Sequence, residues 1–120
     1  MKHDIINKLG KKFNFNSYLE ISSIVTGHTY NKIDKNVFTT TSAIRYIPDD
    51  VNPKIVNRKD ISPNKYEYHH NKTSNDNIKY DVVFVDPWHT YEQSTKDIYT
   101  ALKFVSSKGI IVISGCCPYT

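Results

Sequence analysis

The sequence predicts an α/β protein built on an open, mostly parallel sheet. Two short apolar runs and the stretch between them carry that prediction. "VVFV", residues 82–85, is unbroken, as expected of a strand covered on both faces. "IIVIS", 110–114, is a second such run. Between them lies a helix-period stretch, and strand, crossover and strand make a βαβ unit with parallel strands.

The remaining elements follow in order. "HDIINKLGKK", 3–12, reads as a short helix with Ile5, Ile6 and Leu9 on one face and Gly10 weakening its end. "SYLEISSIV", 17–25, is rich in β-branched and aromatic residues and reads as a strand. "TGHTYNKID" is expected to open a helix after Gly27, and "SAIRYIP", 42–48, is a strand stopped by Pro48. From Pro48 to Asn77 the residues favour loop, with short structure around Tyr66–His70. Thr90 and Gln93 are spaced as a capping box. Tyr91, Thr95, Ile98, Leu102 and Val105 then recur at helical spacing to about residue 106 and are expected to face the core. Gly109 reads as the break before the last strand.

Composition bounds the function. The 120 residues suit one domain, 1–120, and are 38% hydrophobic. The net charge is +4, with the excess in residues 1–80. The cations are scattered lysines among many Asn, Ile and Tyr, a bias that AT-rich codons explain, so no nucleic-acid partner is expected. No run reaches the roughly 20 apolar residues of a membrane span. Cys116 and Cys117 are adjacent and poorly disposed to bridge each other. The reading is a cytoplasmic chain with no membrane partner.

In open α/β sheets ligands bind beyond the carboxyl ends of the strands. Glu20, Asp86 and Ser114 are expected near that edge. Asp86 ends an apolar strand, and His89 follows three residues on, with an ordinary pKa that suits a general base. Each also has a plainer reading: a hydrogen-bonded strand-end acid, a histidine packed at a helix start, a strand acid solvated at an edge. His69-His70 and Cys116-Cys117 supply zinc-type ligands, but adjacent pairs do not encircle one metal, so no metal is expected.

"YLEI" with Gly27, and then "YDVVFVDPWHTYEQSTKDIYTALKFVSSKGIIVIS", resemble the class I S-adenosylmethionine-dependent methyltransferases, in a bacterial branch with small-molecule substrates. His89, Tyr91, Glu92, Asp97, Ala101, Leu102 and Gly109 fall where that branch has them. The resemblance is clear over 80–114, short over 18–27 and weak between. It implies a Rossmann-like methyltransferase sheet in the order 3-2-1-4-5, with S-adenosylmethionine as cofactor. It also implies that Glu20, Ser22, Gly27, Asp49 and Asp86 line the cofactor site and that His89 is the catalytic base.

The sequence also departs from that family. Ser22 stands where the family has glycine, and Ile47 falls where it has the ribose-binding acid, which leaves Asp49 or Asp50 as substitutes. Pro87 replaces a glycine, and Ser114-Gly115 replaces the usual His-Asp, one half of a metal site. Two functions follow from the residues. One is methyl transfer to a small-molecule oxygen or nitrogen; the other is a methyltransferase-like binding or assembly module without catalysis. The family's C-terminal antiparallel hairpin is expected to be lacking, in a truncated domain. That would leave 110–114 as an open edge, and a homodimer is expected to cover it.

Overall fold

A computed structural model describes residues 2–23, 29–46, 66–69, 78–87 and 90–115. Helix α1 (Lys2–Phe13) leads to strand β1 (Ser17–Ser23). A short 3-10 helix (Tyr30–Lys32), β2 (Thr40–Tyr46) and β3 (Tyr66–His69) follow. Then come β4 (Tyr80–Asp86), α2 (Tyr91–Phe104) and β5 (Val105–Ile113). The strands lie in the order β3-β2-β1-β4-β5. The pairs β2–β1, β1–β4 and β4–β5 are parallel, and β3 joins β2 antiparallel. The chain is thus an α/β protein with four adjacent parallel strands.

Residues Tyr18–Ser23 and Val82–Asp86 are buried, because β1 and β4 are covered on both faces. Toward α1, Tyr18, Val82 and Phe84 pack with Ile6, Ile33 and Phe38. Toward α2, Leu19, Ile21, Val83 and Val85 pack with Ile44, Tyr46, Tyr80 and Ala101. The period-2 alternation of a strand divides the two clusters.

Helix α1 buries Ile6 and Gly10, while Ile5 points outward. Gly10 is a contact and not a weak end. A Cβ there would stand 2.5 Å from Cζ of Phe38, so only glycine lets the helix settle on that ring. The helix runs on to Phe13 and closes with Asn14 at φ 61° and the Phe15 N–H donating to Gly10 O, a left-handed cap. The helix expected after Gly27 is, in its described part, a single 3-10 turn. The short structure expected near 66–70 is β3.

Helix α2 is rotated from its predicted orientation. Its buried residues are Gln93, Asp97 and Ala101, whereas Tyr91, Tyr99 and Leu102 are exposed. Two tyrosines explain the turn. Tyr46 and Tyr80 rise from the sheet and fill the layer, so the helix presents its small residue there. Its buried polar pair is satisfied: the Tyr46 hydroxyl donates to Oδ2 of Asp97, and Gln93 Nε2 donates to Oδ1 at 2.9 Å. Thr90 caps the helix by accepting from the Gln93 N–H at 3.2 Å, but the Gln93 amide turns inward to Asp97 and does not complete a capping box.

Helix α2 passes into β5 with no intervening residue, so the expected break at Gly109 is not there. Gly109 lies inside β5, beside a register shift against Tyr80–Val82. A Cβ on it would meet Asp81 O at 2.6 Å. Among the described residues no helix is long and apolar enough to cross a membrane.

Candidate functional site at the carboxyl edge of β1 and β4

Parallel pairing brings the ends of β1, β2, β4 and β5 to one edge of the sheet. There Ser22 lies opposite Asp86 on one side and Arg45 on the other. Glu20 is opposite Phe84 and Ala43, two residues further in. Tyr18, Glu20 and Ser22 share the face toward α1, by strand alternation.

Glu20 is fully buried. The Tyr18 hydroxyl donates to its Oε1 at 2.7 Å and the Ser22 hydroxyl to its Oε2 at 3.5 Å. Burial raises the Glu20 pKa above the ordinary carboxyl value. The Tyr18 hydrogen bond and the Arg45 charge oppose that rise, and the Asp86 charge adds to it. Burial, then the Glu20 charge, pushes the Tyr18 hydroxyl well above its ordinary value, which keeps it a donor. Glu20 is therefore a shielded acid with a fixed donor.

Asp86 sits at the rim. It is 8% exposed, and Lys2 at the start of α1 brings its ammonium to 3.8 Å from Oδ1. The carboxylate thus faces an ammonium group on the solvent side as an ion pair. A second polar group lies on the β2 flank. Lys35 Nζ stands 4.4 Å from the Tyr30 ring centre and donates to Thr41 Oγ1 at 3.3 Å, and the Tyr30 hydroxyl lies 3.1 Å from the same oxygen. Burial lowers the Lys35 pKa, and the Glu20 charge partly restores it.

The structure brings together three of the residues singled out in the sequence, Glu20, Ser22 and Asp86. Glu20 lies deeper than expected. Ser22 is fully buried with its hydroxyl turned to Glu20. Ser114 adjoins the edge, its N–H donating to Val85 O at 2.9 Å. Gly27, Asp49 and His89 lie outside the described residues, as do His70, Cys116 and Cys117. Among the described residues no three His, Cys, Asp or Glu side chains are grouped to hold a metal ion.

Sequence reasoning missed Tyr18, Arg45 and Lys2. The signal for Tyr18 was present: Tyr18, Glu20 and Ser22 alternate at period 2 and so share a face. Arg45 stands at the same level of the sheet only because β2 pairs in that register, which no local pattern gives. No protein-family model, curated protein or solved structure matches the chain.

Proposed function

We propose that the chain is a methyltransferase-type domain that holds S-adenosylmethionine at the carboxyl edge of β1 and β4, with a small molecule as methyl acceptor. The observation that carries the reading is the rim carboxylate. Asp86 ends β4 opposite Ser22 of β1, and it already forms an ion pair with an ammonium, that of Lys2. The methionine end of the cofactor carries the same group. When bound, the cofactor supplies an electrophilic sulfonium methyl. The protein's part is to orient the ligand and hold water away. Asp86 would hold the ammonium, and Glu20 would act from behind through Ser22 and Tyr18. Gly27 and Asp49 would complete the cofactor site, and His89, three residues beyond Asp86, would take the proton of the acceptor. In this reading the sheet is of Rossmann-like methyltransferase type, with the antiparallel β3 as its departure.

A second reading is a binding module without catalysis. Ser22 in the family's glycine position favours it, as does Glu20 with both carboxylate oxygens engaged inside the protein. One pair of experiments separates the two. Thermal shift and calorimetry with S-adenosylhomocysteine test the site, with methylthioadenosine as the control that lacks the amino-acid part. Turnover of S-adenosylmethionine with small hydroxyl and amine acceptors tests the chemistry. Binding with turnover supports the first reading, and binding without turnover the second. No shift and no heat at millimolar ligand would remove the first reading and leave a module that does not use this cofactor.

A further inference from the structure

We propose that Lys2 is an internal competitor at the strand edge. Its ammonium holds the place at Asp86 that a ligand's ammonium would take, and the first turn of α1 is a strap that gives way when such a ligand seats. The inference rests on the cofactor reading above and adds a self-inhibiting contact to it.

Charge explains why the contact forms. Glu20 and Asp86 lie on the same face of the sheet, and the Asp86 charge raises the Glu20 pKa. Two acids at one edge call for cations, and two answer. Arg45, on β2 at the level of Ser22, lowers the Glu20 pKa. Lys2 comes from α1 to within 3.8 Å of Asp86 Oδ1. The two cations differ in how firmly they are held. Arg45 belongs to a strand paired in register, whereas the Lys2 side chain is 54% exposed.

The place of Lys2 in its helix points the same way. It opens α1, where the unbonded N–H groups and the helix dipole favour an acid. Asp4 suits that end, and a lysine does not. What Lys2 gains there is the carboxylate across the gap. The turn that carries it is lightly held. Lys2, Asp4 and Ile5 are exposed, and His3 is half-buried. The helix is seated by Ile6 and Gly10, further on. Terminal turns open at little cost, and this one opens without uncovering the core.

The size of the effect follows from exposure. An ion pair with one half-exposed member shifts an equilibrium by no more than about fivefold. Lys2 therefore tunes affinity and does not abolish it. By linkage the effect is mutual, so a ligand ammonium at Asp86 releases Lys2 to solvent.

Lys2→Met removes the charge and keeps an unbranched side chain. In calorimetry with S-adenosylhomocysteine it is expected to bind about two- to fivefold more tightly than wild type. The gain is expected to vanish in an Asp86→Asn background, and with methylthioadenosine, which lacks the ammonium. A second measurement needs no ligand. Reductive methylation of Lys2 is expected to be slower in wild type than in Asp86→Asn, with Lys11 as the internal reference. Binding of equal strength by wild type and Lys2→Met overturns the proposal and leaves the cofactor reading standing. Weaker binding by Lys2→Met overturns it as well, as does an equal gain with methylthioadenosine. Equal methylation of Lys2 in wild type and Asp86→Asn shows that the contact does not form in solution, and also overturns it. If neither wild type nor Lys2→Met binds, the cofactor reading falls and the self-inhibiting role falls with it.

Discussion

The Tyr46 hydroxyl, at the end of β2, donates to Oδ2 of Asp97 in the middle of α2, and both residues are buried. This bond crosses from sheet to helix and fixes which side of α2 faces inward. It also leaves a carboxylate in the interior. Burial raises the Asp97 pKa from 3.8 to about 6, against the opposing hydrogen bonds from Tyr46 and Gln93.

That shift has a direction in pH. The folded chain holds the Asp97 proton to about pH 6, while the unfolded chain releases it near 3.8. Between those values the folded state binds more protons, so stability falls as pH rises through the window. The contribution is full below about pH 4 and gone above about pH 6, with a size of about 2–3 kcal/mol. Denaturant unfolding of wild type and Asp97→Asn from pH 4 to 7 checks it. The wild-type stability is expected to decline more steeply, and parallel curves would contradict the assignment.

Tyr18→Phe removes the closest donor to buried Glu20. The expected loss is about 1–3 kcal/mol at pH 7.5, the cost of stranding a buried acceptor. Glu20, already raised by burial, takes up a proton more readily in the variant, so the loss is expected to shrink at pH 5. Urea unfolding at the two pH values is the measurement. A loss independent of pH would show that Glu20 does not depend on this hydroxyl.

The rotation of α2 makes neighbouring residues respond differently. Leu102 is 56% exposed and Ala101 fully buried. Leu102→Gln is expected to change stability by less than about 0.5 kcal/mol. Ala101→Leu is expected to cost about 1–3 kcal/mol by overpacking against the sheet. Thermal melts of the two variants decide between the orientations, because an inward Leu102 would reverse their order.

The same helix shows where sequence reasoning succeeds and fails. Its existence and start were legible in Thr90 and in the 3.6-residue period; its end was not, since Val105, read as part of the helix, opens β5. Its rotation was not, because a hydrophobic stripe predicts burial only when no buried polar group is better satisfied. Gln93 and Asp97 are satisfied by each other and by Tyr46, which is 51 residues from Asp97 in the chain. The parallel strands were legible for a related reason: unbroken apolar runs have one simple use. At the site, Asp86 stood out as an acid closing such a run. The depth of Glu20 did not, since it depends on the pairing of β1 with β4. Gly10 and Gly109 read as breaks in one dimension and are close contacts in three.

The central claim is that Asp86 is a ligand-binding carboxylate at the strand edge. Calorimetric titration of S-adenosylhomocysteine into wild type and Asp86→Asn tests it most directly. The wild type is expected to bind with a dissociation constant on the order of micromolar to 1 mM. The variant is expected to bind at least tenfold more weakly, with its fold unchanged by circular dichroism. Equal affinity in the two proteins, or no heat from the wild type at millimolar ligand, would contradict the account.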